Sequence, residues 1–324
     1  MKHWIKFIAF ATLILSITAC DDGKSFTVVD SHGGTNVLVF LGSNEQWEGA
    51  IGDAVRRNLA RPVDGLPREE PLFSITQLAP EGFKDFKKKS RTILRPVIKD
   101  TIAYGVERNV YGRPQTIVNV YGTSEAEIAG NLETHADAII DIIRDTELRE
   151  RTRRLEKSLS NPRMIREELG ITLKLPSYYR VGKKEDNFFW ILHDIKRGDL
   201  NILLYEIPLS EIQKDSTALS QIIATRDRVG QAKIPVDEGG KFITEAMYAP
   251  YLNEVQIDGR FAYETKGIWE VKNKWMAGPF INYMIEDQKN NRWLVAEGFL
   301  NAPSMDHREF MFEMEAILRS IAFE

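Results

Sequence analysis

A single cysteine in 324 residues, Cys20, removes a whole class of chemistry before any motif is read. No second thiol exists to close a disulfide or to complete a thiolate metal site, so stability must come from a packed core. Basic excess is missing too: 43 Lys and Arg stand against 47 Asp and Glu, a formal net charge of −4. Removing the two leader lysines takes this to about −6, and nucleic acid is therefore not an expected partner. Beyond the leader no apolar run reaches the roughly 18–20 residues a membrane helix needs. Histidine is scarce as well. Past the leader there are His32, His135, His193 and His307, and none has another at metal-ligand spacing. The chain also lacks a G-x-S-x-G elbow, a phosphate-binding G-rich loop, an H-E-x-x-H helix and an EF-hand loop. No catalytic residue, cofactor or metal ligand is assigned.

What is present begins at the N-terminus. Lys2 and Lys6 precede an apolar run from Phe7 to Leu15 that is too short to span a bilayer, which is the pattern of an export signal. Leu15-Ser16-Ile17-Thr18-Ala19-Cys20 resembles the bacterial lipobox, in which an aliphatic residue and small residues precede a cysteine that is acylated before cleavage. That resemblance implies a signal peptide over 1–19, a lipidated Cys20 and a polar tether over 20–34. Several acyl chains exceed what stable anchoring requires, so the expected place is the bacterial cell envelope, held by lipid. The outer membrane is the expected site, with its face left open. Asp21-Asp22 partly matches sorting signals of such lipoproteins.

The rest is ordinary globular material, 43% hydrophobic and 28% charged, long enough for two cores. Val37 to Leu41 reads as a buried strand, and Asn44 opens a helix with Trp47, Ile51, Val55 and Leu59 on one face. Gly49 and Gly52 interrupt that helix, which points to close packing. Arg61 to Pro71 is a proline- and glycine-containing loop. Ser124 and Glu127 give the capping signature of the longest helix, which runs on into a charged stretch carrying Arg149, Arg151, Arg153 and Arg154. That stretch reads as a solvated helix linking two domains. Asn161-Pro162 starts a short helix that Gly170 ends, and consecutive strands then lead to a closing helix from Asp306. The expected class is α+β, with domains over 35–160 and 161–324, each a largely antiparallel sheet with packed helices.

The lipobox, Trp47 with Gly52, the GLPREEP loop from Gly65 to Pro71 and the aromatic second half resemble the uncharacterised lipoproteins of Bacteroidota grouped as a domain of unknown function. The resemblance implies an envelope lipoprotein and carries no activity. LGITLKLPSYYRV, FFWILH and the closing helix are loosely similar to the PsbP and Mog1 type of sandwich, which would imply a binding module.

Aromatics crowd the second half, and Trp269, Trp275 and Tyr251 are the ones expected at an exposed binding surface. Glu70, in a loop beside Glu69, is the candidate acid. The reading is a lipid-anchored protein whose second domain binds another envelope protein. Carbohydrate binding through the same aromatics, or hydrolysis by loop carboxylates, are the alternatives. Replacing Cys20 by Ala should move the chain from the membrane to the soluble fraction, as scored by fractionation and intact mass; a variant still acylated and sedimenting with membrane would end the lipid-anchor reading.

Overall fold

A computed structural model describes residues 29–324. The leader, Cys20 and the first part of the tether lie outside the described residues. The last part of the tether does not behave as one. Asp30 and His32 bridge to Arg113 and Ser90, the His32 ring stacks on Phe86 at 3.6 Å, and the buried Arg91 guanidinium donates to the carbonyls of Gly33 and Gly34. Residues 30–34 therefore belong to the first domain.

That domain runs β1 (Val37–Leu41), α1 (Asn44–Glu48), α2 (Ala50–Leu59), β2 (Ser74–Leu78), β3 (Thr92–Ile98), β4 (Ala103–Arg108), β5 (Thr116–Gly122), α3 (Glu125–Thr134) and α4 (Ala136–Leu155). Gly49 is extended and splits the expected helix in two, while a Cβ on Gly52 would lie 1.8 Å from the Trp47 carbonyl oxygen. Both glycines thus let α1 fold tightly onto α2. Ser124 caps α3 as expected, with its hydroxyl accepting from the Glu127 amide, but the helix breaks at His135 before α4. The sheet order is β2-β1-β3-β5-β4, and only β4–β5 is antiparallel. The expectation of a largely antiparallel sheet is corrected for this domain. Helices and loops separate β1, β2 and β3, so no tight turn sets their direction, and period-two alternation is blind to it. Leu38, Phe40, Val118 and Val120 pack against α2, α3 and α4 on one face.

The second domain runs α5 (Arg163–Leu169), β6 (Ile171–Thr172), β7 (Arg180–Glu185), β8 (Phe188–Ile195), β9 (Gly198–Pro208), α6 (Ala218–Lys233), β10 (Lys241–Thr244), β11 (Tyr251–Ile257), β12 (Arg260–Lys272), β13 (Ala277–Asp287), β14 (Arg292–Asn301), α7 (Arg308–Leu318) and β15 (Ala322–Phe323). Gly170 ends α5 in the left-handed region at φ 63°, as its position implied. An eight-stranded antiparallel sheet, β10-β12-β13-β14-β9-β8-β7, carries β11 beside β10 on the same edge of β12. Here the antiparallel expectation holds. One face packs against α7, through residues such as Ile281, Leu294, Met314 and Ile317. Over the other face, α6 adds Ile222 and inserts Arg226, whose guanidinium sits 3.9 Å over Phe280 and 2.9 Å from Glu297.

The GLPREEP loop of the first domain clasps the second. Leu66 is buried in the core beneath α7, and Gly65, at φ 81°, lies so close to β12 that a Cβ would meet Lys266 Cβ at 2.9 Å. Arg68 donates to the Met305 carbonyl. Glu70 accepts from the amides of His307 and Arg308 at 2.7 and 2.9 Å, so it caps α7 from another domain where Asp306 was expected to do so from within. Glu70→Ala is expected to lower unfolding free energy by about 1–2 kcal/mol, the usual worth of a lost cap, with Glu70→Gln closer to wild type. Denaturant midpoints of the two variants measure this, and an unchanged midpoint for Glu70→Ala would remove the cap from the account.

Candidate functional site

Between the domains lies a cleft of about 1140 Å³. Its first wall is one stripe of α4, where Asp141, Arg144, Asp145, Leu148 and Thr152 recur at the three- and four-residue spacing that places side chains on one helix face. The opposite wall is β11, and α7 with its exit at Arg319 and Ser320 closes the end. Glu264 and Lys266, two residues apart on β12, share the face that forms the floor.

Glu264 gathers charges at this floor. Tyr283, fully buried on β13, donates its hydroxyl to Glu264 Oε2 at 2.7 Å; Lys266 Nζ lies 3.0 Å from Oε1 and Arg319 3.6 Å from Oε2. Burial, then the nearby Glu264 and Glu315 carboxylates, push the Tyr283 phenol well up, so it stays a hydrogen-bond donor at neutral pH. Arg144 of α4 reaches across the seam to bond both oxygens of Glu315 on α7 at 2.7 Å. Burial alone would raise the Glu315 carboxyl, but Arg144, Lys266 and Arg319 outweigh it and hold the group well below the usual carboxylate range. Arg151, about two helical turns further on, pairs with Glu313, which also accepts from Tyr178 and Tyr179. Within the charged stretch read as solvated, Arg149, Arg153 and Arg154 do pair with Asp145 and Glu150 of the same helix, while Arg151 crosses to the second domain.

Charge around the cleft is unevenly matched. Its arginines and lysines all have carboxylate partners, among them Arg61 with Asp137, Arg149 with Asp145 and Lys174 with Glu156. Asp64, Asp141 and Glu254 are exposed and have no cation in ion-pair distance among the described residues. Among the described residues no group of three or more His, Cys, Asp or Glu is arranged to hold a metal ion.

The residues singled out from sequence do not assemble. Trp269 is 2% exposed, stacked on Phe242 with its indole N–H donating to the Leu300 carbonyl, so it is core and not surface. Its place on β12 between β10 and β13 explains the burial, which composition could not show. Trp275 is fully exposed in the turn between β12 and β13, away from the cleft. Tyr251 is 42% exposed at the start of β11, opposite the cleft residue Lys266. Glu70 is occupied as the cap of α7, and Cys20 lies outside the described residues. The cleft itself was missed, because Arg144, Glu264 and Glu315 come from three distant segments, and single charges in sequence look alike whether solvated or paired.

A family model described as a domain of unknown function, DUF4837, matches residues 158–320, and a second, DUF8532, matches 31–156. No curated protein matches the chain.

Because the folded-state pKa of Glu315 lies below the unfolded one, its stabilisation is complete above the ordinary glutamate range, near 4.3, and fades as pH falls beneath it. Glu315→Gln should therefore cost on the order of 3 kcal/mol at pH 7, with the gap to wild type closing as the medium is acidified. Urea midpoints of both proteins across that range test this, and a gap independent of pH would show that Glu315 acts without its charge.

Proposed function

We propose, for a chain that belongs to the DUF4837 family of unknown function, that it is a lipid-anchored binding protein of the bacterial cell envelope whose interdomain cleft receives a polypeptide partner. The cleft carries this reading. At about 1140 Å³ it exceeds the usual 300–1,000 Å³ of a small-molecule pocket, and charged side chains of both domains dominate its walls where such pockets are mainly apolar. Polar, charged, water-accessible walls with an aromatic at the border suit a protein surface. Tyr251 supplies that border, and of the residues expected at a binding surface it alone adjoins the cleft.

The anchor rests on Leu15 to Cys20 and on the short stretch of sequence that separates Cys20 from Asp30. Some ten residues reach at most about 35 Å when extended. A folded body held that near a bilayer meets partners in the same envelope layer.

Position-specific crosslinking in cells tests the proposal. A photoreactive residue at Thr152 or Gln256, in the cleft, should give a discrete adduct with one polypeptide, whereas Arg197, in the turn between β8 and β9, should not. Cys20→Ala should weaken the adduct by releasing the chain from its layer. Equal labelling from all three positions, or none from the cleft, would sink the proposal.

A further inference from the structure

The wall that β11 gives the cleft shows how such a partner is held. A strand that presents a face contributes alternate residues, because successive side chains point to opposite sides. Asn253, Glu254, Val255 and Gln256 line the cleft consecutively, so β11 presents its edge. That edge pairs with no other strand among the described residues; β11 bonds β12 alone.

The turn fixes which backbone groups are free. Asp258 and Gly259, at φ 51° and 71°, form a two-residue loop of the type I′ kind, so the flanking Ile257 and Arg260 are a hydrogen-bonded pair. Bonded and non-bonded pairs alternate along an antiparallel ladder, so Val255, Asn253 and Tyr251 also direct their N–H and C=O to β12. Leu252, Glu254 and Gln256 direct theirs outward, and those of Glu254 and Gln256 face the cleft. An unpaired edge of seven residues is a template about 24 Å long for an added strand. Asp141 lies on the facing helix and Asp64 on the loop beside it, both lacking a cation partner among the described residues, while the Glu254 side chain, opposite Tyr263, points to the other face of the sheet.

Resting on the reading that the cleft seats a polypeptide, we infer that the partner binds there as an extended segment added to β11, with lysine or arginine side chains directed to Asp64 and Asp141. Main-chain bonds at Glu254 and Gln256 hold it, and the carboxylates select its charge.

The probe is a labelled seven-residue peptide alternating lysine and valine, with two counterparts: glutamate in place of lysine, and N-methyl groups on its amides. Anisotropy with the full-length chain in mild detergent should show binding that falls at least tenfold for both counterparts. Glu254→Pro should cause a similar loss, since it removes an outward amide and no bond to β12, and its melting temperature checks the fold. The methylated peptide gives the same answer on unaltered protein. Equal binding of methylated and unmethylated peptides would overturn strand addition and leave the cleft reading standing. Failure of every peptide to bind would also overturn strand addition, while cleft-specific crosslinks in cells would still report separately on the partner. A concentration-dependent dimer abolished by Glu254→Pro would assign the edge to a second copy of the chain and overturn the inference.

Discussion

Helix α4 carries two opposed sets of ion pairs, and the arrangement of both domains depends on it. On its inner side Glu147 receives a two-pronged bond from Arg91, at 2.7 and 3.0 Å, with both side chains 1% exposed, and accepts from the Asn36 amide as well. Burial pushes the Glu147 carboxyl up against the opposing pull of Arg91, so the pair exists only because guanidinium, amide and carboxylate are all in place together. On its outer side Arg144 and Arg151 take Glu315 and Glu313 of α7. One helix is thus a core element of the first domain and an electrostatic surface for the second. Apolar faces can slide past one another with small loss, whereas these pairs hold only in one register, which fixes the width of the cleft they border.

Much of the fold was legible because local chemistry agreed with tertiary structure. Pro162 and Gly170 bracket α5, and Ser124 caps α3 through the Glu127 amide. What was illegible depends on partners remote in the chain. The parallel order of β1, β2 and β3 follows from crossovers, not from any residue in the strands. Trp269 and Trp275, six residues apart and equal in composition-based reasoning, end at 2% and full exposure because one lies inside the sheet and the other in the turn that leaves it. Tyr251 was expected at the surface only as one of many aromatics of the second half, and its link to a cleft required the Lys266 it faces.

The free side of β11 and the filled side of β12 illustrate how one hairpin divides its labour. Toward β12 the hairpin is closed by a two-residue turn that needs positive φ at both positions, which Asp258 and Gly259 supply. Toward the cleft it ends in open backbone, and β11 itself carries none of the lysines that commonly guard such edges.

The clasp made by Gly65 to Pro71 bears on how the chain could have been assembled from parts. The two family models meet at residue 157, yet Leu66 completes the core beneath α7 and Glu70 caps its first turn. The boundary between the family models and the boundary of the packing therefore fall at different places. A second half transplanted to another chain would arrive with an empty socket where Leu66 sat and with bare amides at the head of its last helix. The seven residues from Gly65 to Pro71 are thus the part of the first half that the core and last helix of the second half require.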